Sequence, residues 1–146
     1  MLTIRGTDLQ VSEICLGTAA FGSKPDEALC FEILDRFYEG GGRFLDTAHV
    51  YSLLNGHSRS EEIIGQWLRS RSVHPVVLTK GAHYDLAAPS VSRVRENCIR
   101  EDLFRSLEAL GLDCIDLYLL HRDDPSIPIG EILEILQSFA DQGLIR

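Results

Sequence analysis

The feature that most constrains this chain is a short strand-like run followed by a helix-like run, repeated four times. The strand-like runs are largely apolar, and they cover residues 14–16, 43–46, 76–79 and 115–120. Each helix-like run carries apolar residues three or four positions apart, and the first, third and fourth stop near a glycine. Strands that alternate with helices in this way predict a parallel sheet, joined by right-handed crossovers and covered by helices.

The first two helices are defined by an apolar stripe and by residues that begin or end helices. Pro25 is suited to the first turn of the first helix, and glycines 40–42 end it. Its predicted apolar stripe is Leu29, Ile33 and Phe37. Ser58 or Ser60 is suited to cap the second helix. The predicted apolar stripe of that helix is Ile63, Ile64, Trp67 and Leu68.

Both ends of the chain extend this organisation. The third helix is the longest and ends at Gly111, and the fourth follows Pro128 and ends at Gly143. Residues 144–146 resemble the first step of a fifth strand. Residues 3–12 contain a Gly-Thr-Asp turn between two short extended runs, which predicts a small β-hairpin ahead of the first parallel strand.

Two architectures are built from such units, the doubly wound sheet and the (β/α)8 barrel. A doubly wound sheet that binds a dinucleotide requires G-x-G-x-x-G after its first strand, whereas residues 17–22 read Gly-Thr-Ala-Ala-Phe-Gly. We therefore predict an α/β fold of the (β/α)8 TIM barrel family. Residues 1–146 are expected to form a single domain of about four βα units, which is a half barrel preceded by the β-hairpin.

The composition and net charge of the chain indicate which classes of binding partner to expect. The formal net charge is −8 and the pI is near 5.0, which disfavours broad binding to nucleic acid or to an anionic membrane surface. No run approaches the roughly 18 apolar residues of a membrane-spanning helix, so we expect a cytoplasmic protein that acts on small molecules. The four cysteines form no C-x-x-C pair, and we expect them to be buried apolar residues rather than zinc ligands. They are Cys15, Cys30, Cys98 and Cys114.

Side chains that can exchange protons or carry charge follow three of the predicted strands. Asp46, Lys80 and His121 each stand at the carboxyl end of a strand, and Tyr51 follows Asp46 by five residues. The carboxyl ends of parallel barrel strands share one face, which is where enzymes of this architecture place their active sites. We therefore expect these four residues to converge.

The four residue types suit carbonyl reduction. A tyrosine phenol, with an ordinary pKa of about 10, is a poor proton donor at neutral pH unless a nearby positive charge stabilises the phenolate. Lys80 can supply that charge and Asp46 can hold it in place. His121 can orient a substrate carbonyl and share in proton transfer. Donors aimed at the developing alkoxide lower the barrier to hydride addition.

Taken singly, each of these residues has an ordinary structural explanation. Tyrosines and histidines commonly pack in cores or face water, and a pair formed by Asp46 and Lys80 can be purely structural. The remaining histidines and one further tyrosine are expected to be loop groups rather than ligands. They are His49, His57, His74, His83 and Tyr84. Only the joint placement at successive strand ends favours catalysis.

Several segments, in order along the chain, resemble the aldo-keto reductase family. Residues 44–51 (Phe-Leu-Asp-Thr-Ala-His-Val-Tyr) are similar to its Asp-Thr-Ala pattern followed closely by the active-site tyrosine, and residues 60–65 to its Ser-Glu-x-x-Ile-Gly segment. Leu-Thr-Lys at 78–80 and Asp-Leu-Tyr-Leu-Leu-His-Arg at 116–122 resemble the strands that bear the lysine and the histidine. Gly-Thr at 17–18 matches the end of the first strand.

The resemblance implies a reductase that converts aldehydes and ketones to alcohols with NADPH or NADH and without metal. Tyr51 would be the general acid, assisted by Lys80 and Asp46, while His121 directs the carbonyl. The implied catalytic residues are Asp46, Tyr51, Lys80 and His121. The implied neighbours of the nicotinamide ribose are Gly17, Thr18 and Asp46.

A family member forms eight βα units, so the resemblance implies that the C-terminal half, with most cofactor contacts, is absent from residues 1–146. Uncovered barrel-interior side chains and sheet edges are expected to favour self-association or a complementary half. Two alternatives stay open. Lys80 can form a Schiff base with a carbonyl substrate, or the chain can be a truncated, non-catalytic interaction or cofactor-sensing module.

Overall fold

The computed structural model describes residues 1–85 and 87–146, and the chain begins with the expected hairpin. Strands β1 (Leu2–Thr3) and β2 (Gln10–Val11) pair antiparallel. Leu9 and Val11 are buried and pack against Val76. The hairpin therefore covers the amino-terminal end of the central sheet.

The rest of the chain alternates between parallel strands and helices, with one extra hairpin. In chain order the elements are β3 (Leu16–Gly17), α1 (Glu27–Glu39), β4 (Phe44–Asp46), β5 (Leu53–Leu54), β6 (His57–Ser58), α2 (Arg59–Arg71), β7 (Val76–Gly81), α3 (Glu96–Leu110), β8 (Leu117–Leu120) and α4 (Ile129–Asp141). The parallel sheet has the order β3-β4-β7-β8. Strands β5 and β6 form a separate antiparallel pair, which the sequence analysis did not anticipate.

This architecture confirms the predicted half barrel. Four parallel strands lie side by side in chain order, and each is followed by a helix. Ile145 forms a parallel bridge with Ile115, so residues 144–146 do begin to align with the chain segment that leads into β8. The order and the crossovers are those of one half of a (β/α)8 barrel.

Side chains on the parallel strands alternate between two environments. Leu45, Val77 and Tyr118 are buried on the face covered by helices, whereas residues between them, such as Leu78 and Leu119, are partly or fully exposed. The covered face packs on a core from the helices that includes Leu34, Ile63, Trp67, Ile99, Leu103 and Phe139. The other face, which is the interior side in a barrel, therefore carries the side chains free to reach a ligand.

Helix boundaries follow the predicted signals with one correction. Ser58 caps α2, because its hydroxyl accepts from the Glu61 N–H at 3.3 Å, and Gly111 ends α3 in a left-handed conformation with φ of 66°. Helix α1 instead begins after Asp26, which accepts from the Leu29 N–H at 2.8 Å. Its fully buried residues are Cys30 and Leu34. Of the predicted stripe, Ile33 and Phe37 pack against the core, whereas Leu29 is exposed, so the prediction was wrong for Leu29 alone.

The cysteines do not share one environment. Cys30 is buried, Cys98 and Cys114 are half-buried, and Cys15 is exposed, so the expectation of four buried thiols was wrong for Cys15. Cys15 lies one residue before β3, at the edge of the sheet. Among the described helices, none combines the length and the apolar character needed to cross a membrane.

The contact between α2 and α3 depends on Gly65. A Cβ built there would lie 2.6 Å from the Leu110 carbonyl oxygen and in conflict with the Ala109 carbonyl oxygen, both of which belong to backbone. We expect Gly65→Ala to lower the free energy of unfolding by about 3 kcal/mol, since overpacking against rigid backbone forces the helices apart. Urea denaturation followed by circular dichroism measures this change.

Gly130→Ala in α4 is the matched control. A Cβ at Gly130 meets no heavy atom within 4 Å, so the same substitution is expected to stabilise the protein by up to about 1 kcal/mol through helix propensity. Equal effects of the two substitutions would contradict the close α2–α3 packing.

Candidate active site

Three side chains with acid–base chemistry lie at the carboxyl ends of adjacent parallel strands. Asp46 ends β4, Lys80 lies one residue before the end of β7, and His121 directly follows β8. The Lys80–Leu119 pairing and a 2.7 Å hydrogen bond from the His121 N–H to the Gly81 carbonyl oxygen align β7 with β8. The structure thus brings these residues to one rim of the sheet.

The Lys80 ammonium group is the centre of this rim. Its Nζ forms an ion pair with the Asp46 carboxylate, lies 2.8 Å from the Thr47 carbonyl oxygen and lies 3.3 Å from the Tyr51 hydroxyl oxygen. Three oxygen atoms thus match the three N–H donors of a lysine. The Lys80 side chain is only 14% exposed, so water competes weakly for these contacts.

The loop after β4 holds Tyr51 against Lys80. The Tyr51 N–H donates to the Ala48 carbonyl oxygen at 3.0 Å. The buried Ser58 hydroxyl lies 3.0 Å from the carbonyl oxygens of both Ala48 and Tyr51. Ser58 is also the cap of α2, so the start of that helix fixes the turn that presents the phenol.

His121 lies between two other ring side chains. Its ring packs edge-on against Tyr51, with centroids 5.8 Å apart, and against His83, with centroids 4.8 Å apart. Burial, assisted by His83, Lys80 and Arg122, lowers the pKa of His121 to about 4. The imidazole is therefore neutral at neutral pH and can offer one N–H. Its Nδ1 is buried and has no hydrogen-bond partner within the described part of the chain.

Gly17 and Thr18 lie beside Asp46. The Thr18 N–H and hydroxyl each lie 2.9 Å from the Asp46 carbonyl oxygen, and the buried Ser60 hydroxyl lies 2.8 Å from the Thr18 hydroxyl oxygen. Gly17 pairs with Asp46 across the sheet and is exposed. A Cβ at Gly17 would meet no heavy atom within 4 Å, which leaves open space next to the carboxylate.

A cavity of about 420 Å³ opens next to Tyr51 and His121. This volume lies within the usual range of small-molecule sites. Apolar and aromatic side chains form one part of its lining, and charged side chains form another. The first part includes Val50, Tyr51, Leu53, Tyr84 and the imidazoles of His83 and His121, and the second consists of Asp85, Arg93, Asp102 and Arg105. His49, His83 and Tyr84, which were expected to be ordinary loop groups, all line the cavity.

Two buried carboxylates, neither of which was predicted to have a role, lie behind the rim. Glu61 is fully buried and accepts a 2.5 Å hydrogen bond from the Thr79 hydroxyl. Asp102 is also buried, accepts from the Ala82 N–H at 2.9 Å and forms an ion pair with Arg93. Asp102 lies in a helix with other acidic and basic residues, so only its burial distinguishes it from a surface charge.

Comparison with known proteins identifies one family. The model described as "Aldo/keto reductase family" matches residues 13–146. The oxidoreductase YrpG of Bacillus subtilis is 32% identical, over 95% of this chain and 45% of its own length. Aryl-alcohol dehydrogenase [NADP(+)] of Phanerodontia chrysosporium is 29% identical, over 96% of this chain and 40% of its own length.

A solved structure agrees with this result. The aldo-keto reductase AKR11C1 from Bacillus halodurans, in its holo form, superposes with a TM-score of 0.82 at 30% identity. The superposition covers 99% of this chain and 47% of that one. The chain thus spans less than half the length of the proteins to which it is compared here.

The buried Glu61 predicts a specific dependence of stability on pH. Burial raises the pKa of Glu61 from 4.5 to about 7, against the opposing hydrogen bond from Thr79. The folded state therefore binds a proton that the unfolded state has lost. Its stabilising contribution is complete below about pH 4.5 and is lost as the pH rises to about 7.

We expect Glu61→Gln to remove this pH-dependent loss of stability. Relative to the variant, the wild-type free energy of unfolding should fall by on the order of 3 kcal/mol across that interval, measured by urea denaturation at a series of pH values. Glu62→Gln, which removes the adjacent and more exposed carboxylate, serves as the control for losing one glutamate charge. Identical pH profiles for the wild type and Glu61→Gln would refute the assignment.

Proposed function

The chain belongs to the aldo/keto reductase family, and on that premise we propose that its site reduces aldehydes or ketones to alcohols, with Tyr51 as the general acid. The observation that carries the proposal is the position of the Lys80 ammonium group, which contacts both the Asp46 carboxylate and the Tyr51 hydroxyl. A cation fixed beside a phenol stabilises the phenolate that forms when the phenol gives up its proton.

We propose NADPH as the cofactor, with NADH as the related choice and no metal. When bound, reduced nicotinamide supplies the hydride that adds to the carbonyl carbon. Gly17 and Asp46 would hold the adjoining ribose. Thr18, which was expected beside them, is fully buried and directs its N–H and hydroxyl at the Asp46 carbonyl oxygen, so it would position Asp46 rather than contact the ribose. Two observations support this fit, namely the open space where Gly17 lacks a side chain and the Asp46 carboxylate beside it, a group that can accept from ribose hydroxyls.

Each of the four rim residues has a separate role in the reaction at the substrate's carbonyl oxygen. The Tyr51 hydroxyl gives its proton to that oxygen as the new C–H bond forms, and Lys80 stabilises the phenolate left behind until solvent returns a proton. Asp46 keeps the Lys80 ammonium in place. His121, neutral because its pKa is about 4, donates an N–H to the same oxygen and orients it.

The cavity supports an aromatic or branched carbonyl compound as the substrate. Tyr51, Tyr84, His83 and His121 provide flat faces, and Val50 and Leu53 provide apolar contact. An aromatic aldehyde is therefore the first substrate to test, and one relative named above is an aryl-alcohol dehydrogenase. A cytoplasmic location, and self-association or a complementary half that covers the exposed face of the sheet, belong to the same proposal.

The proposal predicts that Tyr51→Phe lowers aldehyde-dependent oxidation of NADPH by about 100-fold or more, because it removes the proton donor. Fluorescence titration should show that the variant still binds NADPH, since the Tyr51 hydroxyl is not among the proposed cofactor contacts. Turnover is followed by NADPH absorbance with benzaldehyde, and light scattering records the oligomeric state of each sample.

Tyr38→Phe is the matched control, because Tyr38 packs on Trp67 and Arg43 away from this rim. It is expected to leave turnover unchanged. Turnover that survives in Tyr51→Phe would overturn the role of general acid. Saturable NADPH binding with no turnover in any form would favour a cofactor-sensing module instead.

A further inference from the structure

The turn after β7 has an unusual backbone that a buried acid stabilises. Ala82 adopts a φ of 59°, a left-handed conformation that is uncommon for residues other than glycine. Its N–H donates to the buried Asp102 carboxylate at 2.9 Å, and Arg93 pairs with that carboxylate from the other side. The turn is thus anchored immediately before His83.

Both ring nitrogens of His83 have partners, and the two contacts require the same tautomer. Nδ1 lies 2.9 Å from the Tyr84 carbonyl oxygen, which can only accept, so Nδ1 carries the hydrogen. Nε2 lies 3.3 Å from the Arg122 guanidinium, which can only donate, so Nε2 is the acceptor. Arg122 also lies 4.8 Å from the centroid of the Tyr84 ring.

This arrangement sets the ring of His83 against the ring of His121. The two planes meet at 82° with centroids 4.8 Å apart. Tyr51 packs against His121 at 86°. Two edge-on neighbours, each held by other contacts, leave His121 little freedom to rotate.

We propose that His83 is a positioning residue of this site, which holds His121 in the neutral form and in the orientation that donates an N–H to a substrate oxygen. This inference rests on the proposed function and extends it to a residue other than Asp46, Tyr51, Lys80 and His121. His83 itself acts through His121.

The charged groups around His121 agree with this role. Lys80 from β7 and Arg122, the residue after His121, disfavour a charged imidazole, while Asp46 from β4 favours one. Burial is the largest cause of the low pKa of His121, and His83 covers one side of its ring. Removing His83 therefore uncovers one side of the His121 ring, and the pKa of His121 should rise.

Histidine ring titration by two-dimensional NMR of the intact chain tests the proposal. In His83→Asn the titration midpoint of His121 should rise by about one pH unit, because the ring is uncovered. In His83→Phe, which keeps a ring against His121, the rise should be smaller. His74→Asn is the control, since His74 is exposed and lies ahead of β7 at its opposite end, and it should leave His121 unchanged.

The same spectra report the tautomer of His83 through its nitrogen shifts, with a protonated Nδ1 expected. An unchanged His121 midpoint in both His83 variants, or a protonated Nε2 on a neutral His83, would overturn the proposal. Amide spectra of the two variants identify any loss of fold, and His83→Phe retains the test if His83→Asn does not fold. Because no cofactor or turnover is involved, the result is independent of whether the reductase activity is found.

Discussion

The alternation of side chains along β7 determines where the positive charge of the site lies. Thr79 and Gly81 face the helices and are buried, whereas Lys80 between them points to the rim and contacts Asp46 and Tyr51. Gly81 leaves room for the Tyr118 hydroxyl, which occupies the space that a Cβ would fill. Because the side-chain period of a strand is two, a slip of one residue would bury the Lys80 ammonium group in the core. Pairing of β7 with both β4 and β8 fixes the register against such a slip.

Buried acids hold the end of β7 from the other face. Glu61 accepts from the Thr79 hydroxyl and Asp102 accepts from the Ala82 N–H, so the residues on either side of Lys80 and Gly81 are both anchored to helices. Burying carboxylates is costly unless they are paired or protonated. Asp102 is paired with Arg93, whereas the raised pKa of Glu61 lets it carry a proton. The free-energy cost of burying the two acids thus accompanies contacts that fix the position of Lys80 and of the turn after β7.

The sequence was sufficient to predict the parallel strands, their helices and the convergence of Asp46, Lys80 and His121, because strand ends in a barrel share one face. Other features were not predicted, for two different reasons. The two-residue strands of the β5–β6 hairpin show no alternating pattern, but Asn55 and Gly56 between them, with φ of 53° and 84°, form the Asn-Gly turn from which the hairpin was predictable. The role of Asp102 depends on which way one acid on a charged helix faces, and the orientation of His83 depends on a left-handed turn at Ala82. Tertiary contacts determine the orientation of Asp102 and that of His83, and the sequence around either residue carries no local signal for it.

We propose that the rim formed by Asp46, Lys80, Tyr51 and His121 reduces a carbonyl group with hydride from nicotinamide. The most direct measurement is mass spectrometry of the alcohol formed from benzaldehyde and NADPH that carries deuterium at the transferable position of the nicotinamide ring. We expect an alcohol with the deuterium bound to its carbinol carbon. An alcohol without deuterium at that carbon, or no alcohol under conditions in which NADPH is bound, would contradict it.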